Sequence, residues 1–125
     1  EGRINAMNVA VLGASQNPER YSYKAIAMLS EHGHTPYPVH PALKGIQGLT
    51  VYATLAQIPQ PLDTITLYLS PANSAPLAAE ILASGARRVI FNPGAENPPL
   101  QDQLAQAGIE VVTACTLVML RTGQF

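Results

Sequence analysis

Val9-Ala10-Val11-Leu12 is a continuous apolar run that ends on Gly13. Four apolar residues without alternation predict a strand buried on both faces, as in a parallel sheet. A glycine directly after such a strand lets the backbone turn tightly and approach other groups closely. A polar loop, Ala14 to Arg20, follows. Ser22 is expected to cap a helix from Tyr23 to about His32, with Ala25, Ile26 and Leu29 at helical spacing and Gly33 as its stop.

The same alternation repeats outward along the chain. Thr35 to Val39 reads as a second strand, irregular or near an edge because Pro36 and Pro38 cannot donate to a ladder. Pro41 to Gly48 reads as a loop, Val51-Tyr52 as a stub of strand, and Thr54 as the cap of one helical turn through Ile58. Thr64 to Leu69 is the next strand and Ser70 to Asn73 a turn. A helix then runs to about Ser84, with Leu77, Ala78, Ile81 and Leu82 on one stripe. Arg88 to Phe91 and Glu110 to Thr113 are further strands. Between them Asn97 caps a helix carrying Pro98 and Pro99 in its first turn, and Thr116 to Arg121 closes the chain as a short helix. Strands alternating with helices of about ten residues are βαβ units. They predict one open α/β sheet covered on both faces by right-handed crossovers. Residues 7–125 are expected to form that single domain. Residues 1–6 fall outside the pattern and read as a native tail or an expression remnant.

Composition narrows the function. The 125 residues carry seven Lys and Arg against eight Asp and Glu, a net charge of −1, so no global field draws nucleic acid or an anionic membrane. No apolar run approaches the roughly 20 residues of a membrane span. The single cysteine, Cys115, cannot form an internal disulfide, and the expected setting is cytoplasmic.

In an open parallel sheet, ligands bind beyond the carboxyl ends of the strands. Four predicted strand ends carry unusual residues and should converge: Gly13-Ala14-Ser15, His40-Pro41 with Lys44, Ser70-Pro71-Ala72, and Asn92-Pro93-Gly94-Ala95. N–H groups after Gly13, with the following helix N-terminus, can meet a phosphate; a lone glycine serves equally as a plain βα turn. A nicotinamide dinucleotide site wants an acid roughly 20 residues past its glycines. The second strand ends instead in Val39, His40 and Pro41, followed by Lys44, whose charge suits a terminal phosphate.

Val9-Ala-Val-Leu-Gly-Ala-Ser15, Asn17-Pro-Glu-Arg20, Ser22-Tyr-Lys24, Pro38-Val-His-Pro41, Gly48, Tyr52-Ala-Thr-Leu, Ile58-Pro and Asn92-Pro-Gly-Ala-Glu96 together resemble the YccU-type CoA-binding proteins. These are stand-alone relatives of the CoA-binding domain of the succinyl-CoA synthetase α subunit. The resemblance runs from about Met7 to Val118. It implies a Rossmann-like, three-layer α/β fold with coenzyme A lying across the strand ends. Gly13, Ala14 and Ser15 would approach the phosphates, with Ser22 and with Lys24, which stands where the family often has Arg. Val39, His40 and Pro41 would flank the adenine–ribose part, with Lys44 near the 3′-phosphate. Ser70, Pro71 and Asn73 would line the middle of the groove, and Asn92, Pro93, Gly94 and Ala95 would border the pantetheine arm. The family commonly follows a late Cys with an acid and a His, whereas Cys115 is followed by Thr-Leu-Val-Met-Leu-Arg121. The ligase relatives also carry a further domain with a phosphorylated histidine. The resemblance therefore carries over binding rather than acyl-CoA synthesis.

The residues offer little for catalysis. His32 and His34 flank Gly33 at a helix end, where a cationic imidazole suits the dipole. His40 lies at the expected site and is the one acid–base candidate. Cys115 reads as a buried thiol. No carboxylate pair or metal spacing is present. The expected role is non-catalytic binding of CoA or an acyl-CoA, with a homodimer or an acyltransferase as the protein partners considered. A minimal NAD(P)-dependent oxidoreductase and an interaction subunit with a vestigial pocket are the competing readings.

Overall fold

In the computed structural model, which describes residues 6–125, the first strand is β1, Asn8–Leu12. Its side chains point alternately to two cores. Val9 and Val11 meet Ile26, Leu29 and Leu120, whereas Ala10 and Leu12 meet Ile65, Leu67, Val89 and Phe91. The continuous apolar run therefore reflects burial on both faces. Four further strands join it: β2 (Thr35–Val39), β5 (Thr64–Leu67), β6 (Arg88–Phe91) and β7 (Glu110–Thr113). Together they form a five-stranded, wholly parallel sheet of order β2-β1-β5-β6-β7. The expected α/β class holds. The expected tail, residues 1–6, lies outside the described residues except for Ala6.

Helices α1 (Tyr21–Glu31) and α5 (Thr116–Arg121) supply the residues that pack on the Val9–Val11 face. α3 (Ala78–Ala83) and α4 (Pro98–Gln106) supply Ile81, Leu100 and Leu104 to the other. β2 is an edge strand, and its prolines explain how. Thr35 donates to the Met7 carbonyl, so Tyr37 and Val39 share its orientation toward β1 while Pro36 and Pro38 turn outward. Both missing donors thus fall on the side where no strand is paired. The Pro38 carbonyl on that side accepts from Tyr52 N–H, whose residue bridges Val39.

Four local expectations change. Arg20, not Ser22, is the N-cap of α1, and Ser22 is buried inside the first turn. The loop after Pro41 contains a hairpin, β3 (Gly45–Ile46) and β4 (Leu49–Thr50). Its turn residues Gln47 and Gly48 both have positive φ, 53° and 78°. That is the geometry of a tight hairpin, hidden in sequence because Gln stands where Asn is favoured. Ser70–Asn73 is no free turn. Helix α2 (Pro71–Ser74) starts at Pro71, tightens to a 3-10 turn over Ala75–Leu77 at Pro76, and resumes as α3. Leu82, which the sequence places on the buried stripe, is exposed, while Ile81 is buried. Finally, His34 does not sit as a cation on the helix dipole. Its Nδ1 accepts from Met7 N–H at 3.2 Å, and its ring lies 5.0 Å from that of Phe125. Burial, with the nearby His32 and Arg88 charges, holds its pKa below the ordinary value. No described helix is long and apolar enough to cross a membrane.

Candidate functional site

The sheet reverses its winding between β1 and β5, because the chain goes from β1 outward to β2 and then returns to the far side of β1. Such a switch point opens a crevice at the carboxyl ends of the two strands. Here the crevice is a cavity of about 900 Å³. Its walls come from Gly13–Ser15 after β1, Tyr68–Ser70 and Asn73 after β5, and Glu19–Ser22 with Lys24 at the start of α1. His40 and Pro93 complete it. A second cavity of about 480 Å³ adjoins it and shares Gly13, His40, Leu69 and Asn73. Leu12, Val39, Pro41, Ala53, Thr54, Leu77 and Glu80 line the remainder. Both volumes fall within the roughly 300–1,000 Å³ of small-molecule sites.

Gly13 is fixed by two constraints. Its φ is +94°, and a Cβ there would lie 3.1 Å from the backbone of Tyr68 and from a methyl of Leu69. The glycine thus lets the β1 and β5 ends close on each other. Ala14 N–H is already bonded to the Val39 carbonyl at 3.2 Å, so it is not a free anion donor. The Ser15 hydroxyl accepts from Asn17 N–H, and Asn17 Oδ1 accepts from Glu19 N–H, both at 3.0 Å. These turns hold the loop rigid and deliver the chain into α1.

The start of α1 is chemically open. Arg20 at the N-cap has no acceptor to offer, no acid stands in the first turn, and no side chain caps the helix. The leading N–H groups are therefore left for an external acceptor, with the positive end of the dipole behind them. Arg20 and Lys24 add two cations on the same wall. Lys24 Nζ lies 5.7 Å from the Tyr21 ring, and the one ion pair among the described residues is Arg87 with Asp63, away from the cleft. Burial pushes the Tyr68 phenol up to about 12, and its hydroxyl is buried without a hydrogen-bond partner among the described residues.

The expected site residues separate into two groups. Gly13, Ala14, Ser15, Ser22, Lys24, His40, Ser70, Asn73 and Pro93 line the larger cavity, and Val39 and Pro41 line the smaller. Lys44, Pro71, Asn92, Gly94 and Ala95 line neither. Asn92 is a buried brace: Nδ2 donates to the Thr66 hydroxyl at 2.8 Å and the Leu67 carbonyl at 2.9 Å, and Oδ1 accepts from Thr116 N–H at 2.9 Å. Ala95 is packed in the core, and Gly94 N–H is held by the Glu96 carboxylate at 2.9 Å. His40 Nδ1 accepts from Ala42 and Leu43 N–H, at 3.0 and 3.2 Å, which leaves Nε2 as the ring's donor. Leu69 and Glu80 also line the cavities without being singled out in the sequence, as do Arg20 and Thr54, which the sequence places in motifs but to which it gives no part in the site. Arg20 carries a signal, as the residue immediately before a helix; Glu80 looks like any solvated helix carboxylate. Among the described residues no group of three or more His, Cys, Asp or Glu could hold a metal.

A protein-family model described as a CoA binding domain matches residues 7–121. YneT, an uncharacterized protein of Bacillus subtilis, is 24% identical over 104 residues, 83% of this chain and 77% of that protein. The alpha subunit of an ADP-forming acetate–CoA ligase II of Pyrococcus furiosus is 33% identical over 61 residues. That stretch is 48% of this chain but only 13% of the ligase subunit. A solved structure of an uncharacterized protein matches with a TM-score of 0.91 at 40% identity, covering 96% of this chain and 98% of its own. The motif order, the parallel sheet with its switch-point crevice and the match over residues 7–121 agree: the chain belongs to the CoA binding domain family.

Proposed function

We propose that the protein binds coenzyme A or an acyl-CoA in the cleft at the carboxyl ends of β1, β2 and β5, and performs no chemistry on it. The observation that carries this reading is the uncapped start of α1, flanked by Arg20 and Lys24, in the same cavity as the Gly13 turn. A helix N-terminus with cations beside it suits a diphosphate. The smaller and more apolar cavity suits the adenosine end, against Val39, His40 and Pro41. Lys44, on the loop beyond Pro41, would reach a 3′-phosphate from outside the cavity. The pantetheine arm would leave past Asn73 and Pro93, with Ser70 and Pro71 at its border. Asn92, Gly94 and Ala95 would serve it indirectly, by fixing the loop that carries Pro93.

The cleft supports binding better than catalysis. His40 is committed through Nδ1 to its own loop, and Cys115 lines neither cavity. A cytoplasmic setting fits the single free thiol. A second copy of the chain or an acyltransferase would be the protein partner that uses the bound thioester.

Thermal-shift titration with CoA, acetyl-CoA, dephospho-CoA, NAD and NADP tests the reading. A ligand at a hundredfold excess over its Kd adds about 2.7 kcal/mol to the folded state. CoA and acetyl-CoA should raise the melting temperature, and dephospho-CoA should do so less. Lys44→Ala should erase the difference between CoA and dephospho-CoA. A shift with NAD alone would favour an oxidoreductase, and no shift with any of the five would favour an interaction subunit.

A further inference from the structure

Glu80 is the one acid lining the smaller cavity. It reaches there from α3, and its carboxylate is already half committed: Oε2 accepts from Leu55 N–H at 2.5 Å. Oε1 has no hydrogen-bond partner among the described residues. The half-buried carboxylate thus brings one unused acceptor to a cavity whose other walls are mainly apolar, Leu12, Val39, Pro41, Ala53, Leu69 and Leu77, with His40, Thr54 and Asn73 as the other polar side chains. The bond to Leu55 also limits the carboxylate's rotation, so the free oxygen is pre-oriented before any ligand arrives.

A carboxylate only accepts hydrogen bonds. Its complement is a ligand with an N–H or O–H donor, and the apolar walls suit flat aromatic faces better than the hydroxyls of a sugar. We propose that Glu80 Oε1 accepts from the exocyclic amino group of adenine and makes this cavity select adenine over 6-oxo purines. An oxo group in place of the amino group would set acceptor against acceptor. Exclusion by such a mismatch is more effective than any adjustment of apolar fit. The inference rests on the CoA reading above and adds a specificity-determining residue to it. A carboxylate that merely anchors the single 3-10 turn Leu55–Gln57, which follows Thr54, would leave base preference untouched.

The test compares CoA with its deaminated counterpart, in which hypoxanthine replaces adenine, by titration calorimetry on the full chain. The wild type should bind CoA more tightly by about tenfold to a hundredfold, the worth of a hydrogen bond to a charged group. In Glu80→Gln the amide oxygen is expected to keep the Leu55 N–H bond, which turns the amide N–H toward the ligand. The preference should then collapse or reverse toward hypoxanthine. Glu80→Ala should bind the two ligands about equally. Each ratio is measured within one variant, so a loss of overall stability does not obscure it. Equal binding of both ligands by the wild type, or an unchanged ratio in both variants, would remove Glu80 from recognition and leave CoA binding intact. Failure of the wild type to bind either ligand would overturn the CoA reading and this inference together.

Discussion

Gly13 and Gly108 both take positive φ, +94° and +84°, yet they differ in what surrounds them. A Cβ at Gly108 would meet nothing within 4 Å, whereas at Gly13 it would press on Tyr68 and Leu69 at 3.1 Å. Gly108→Ala should therefore cost only the left-handed backbone term, about 1 kcal/mol. Gly13→Ala adds overpacking and should cost about 2–4 kcal/mol while weakening ligand binding, both measurable by urea denaturation and calorimetry. Asn92 gives a third test. Asn92→Ala removes three buried bonds and strands Thr116 N–H, so a loss of about 2–3 kcal/mol is expected in denaturant titration. An Asn92 that served mainly a ligand would instead lose affinity at constant stability. At this scale Gly13 is legible in the sequence, because a glycine that ends a buried strand marks a tight turn or a close backbone approach, and here it makes both. The inward direction of Asn92 is not legible, since an amide in a turn looks the same whether it bonds a ligand or the chain.

Among the elements, α1 carries a trade between stability and function. Its N-cap is Arg20, a residue with no acceptor to offer the leading N–H groups. Arg20→Asp supplies a cap and a favourable charge on the dipole, so thermal unfolding should show a gain of about 1 kcal/mol. The same carboxylate would stand in the proposed anion site, and affinity for CoA should fall. A variant that gained stability with unchanged affinity would show that α1 does not hold the phosphates. The five sheet strands and most helix positions are legible from apolar runs and glycine stops. The β3–β4 hairpin is not, because two-residue strands give no periodicity. The split of α2 from α3 is signalled by Pro76 itself, a helix breaker, although the apolar stripe of Leu77, Ala78, Ile81 and Leu82 runs on past it as if the helix were continuous.

Across the whole molecule, the sheet has two ends with different duties. The carboxyl ends of β1, β2 and β5 form the cleft, and the opposite end is fastened by Phe125. Arg88 lies over the Phe125 ring at 4.5 Å and bonds the Phe125 carbonyl oxygen and the Thr64 hydroxyl, both at 3.0 Å. His34 also packs on that ring. His34 accepts at Nδ1 and so works as neutral imidazole. Its folded pKa is depressed, first by burial and then by His32 and Arg88. Above about pH 6.5 both states are neutral and His34 makes stability independent of pH. As pH falls below that, the unfolded chain takes up the proton first, and stability should decline until the lower folded pKa is passed. His34→Gln keeps an acceptor without the titration and should flatten that part of the melting-temperature profile. Persistence of the full decline in the variant would assign it to other groups. The placement of the cleft at the strand ends follows from the βαβ pattern. The position of Lys44 outside both cavities does not, because its loop folds into the hairpin.

Occupancy of the switch-point cleft by CoA is tested most directly by amide chemical-shift mapping of the ¹⁵N-labelled chain during titration with CoA. The largest shifts are expected at Gly13–Ser15, at the leading amides of α1 from Tyr21 to Lys24, and at His40, Asn73 and Glu80. Saturable shifts centred instead on β7, α4 or α5, or a spectrum that CoA leaves unchanged, would contradict the account.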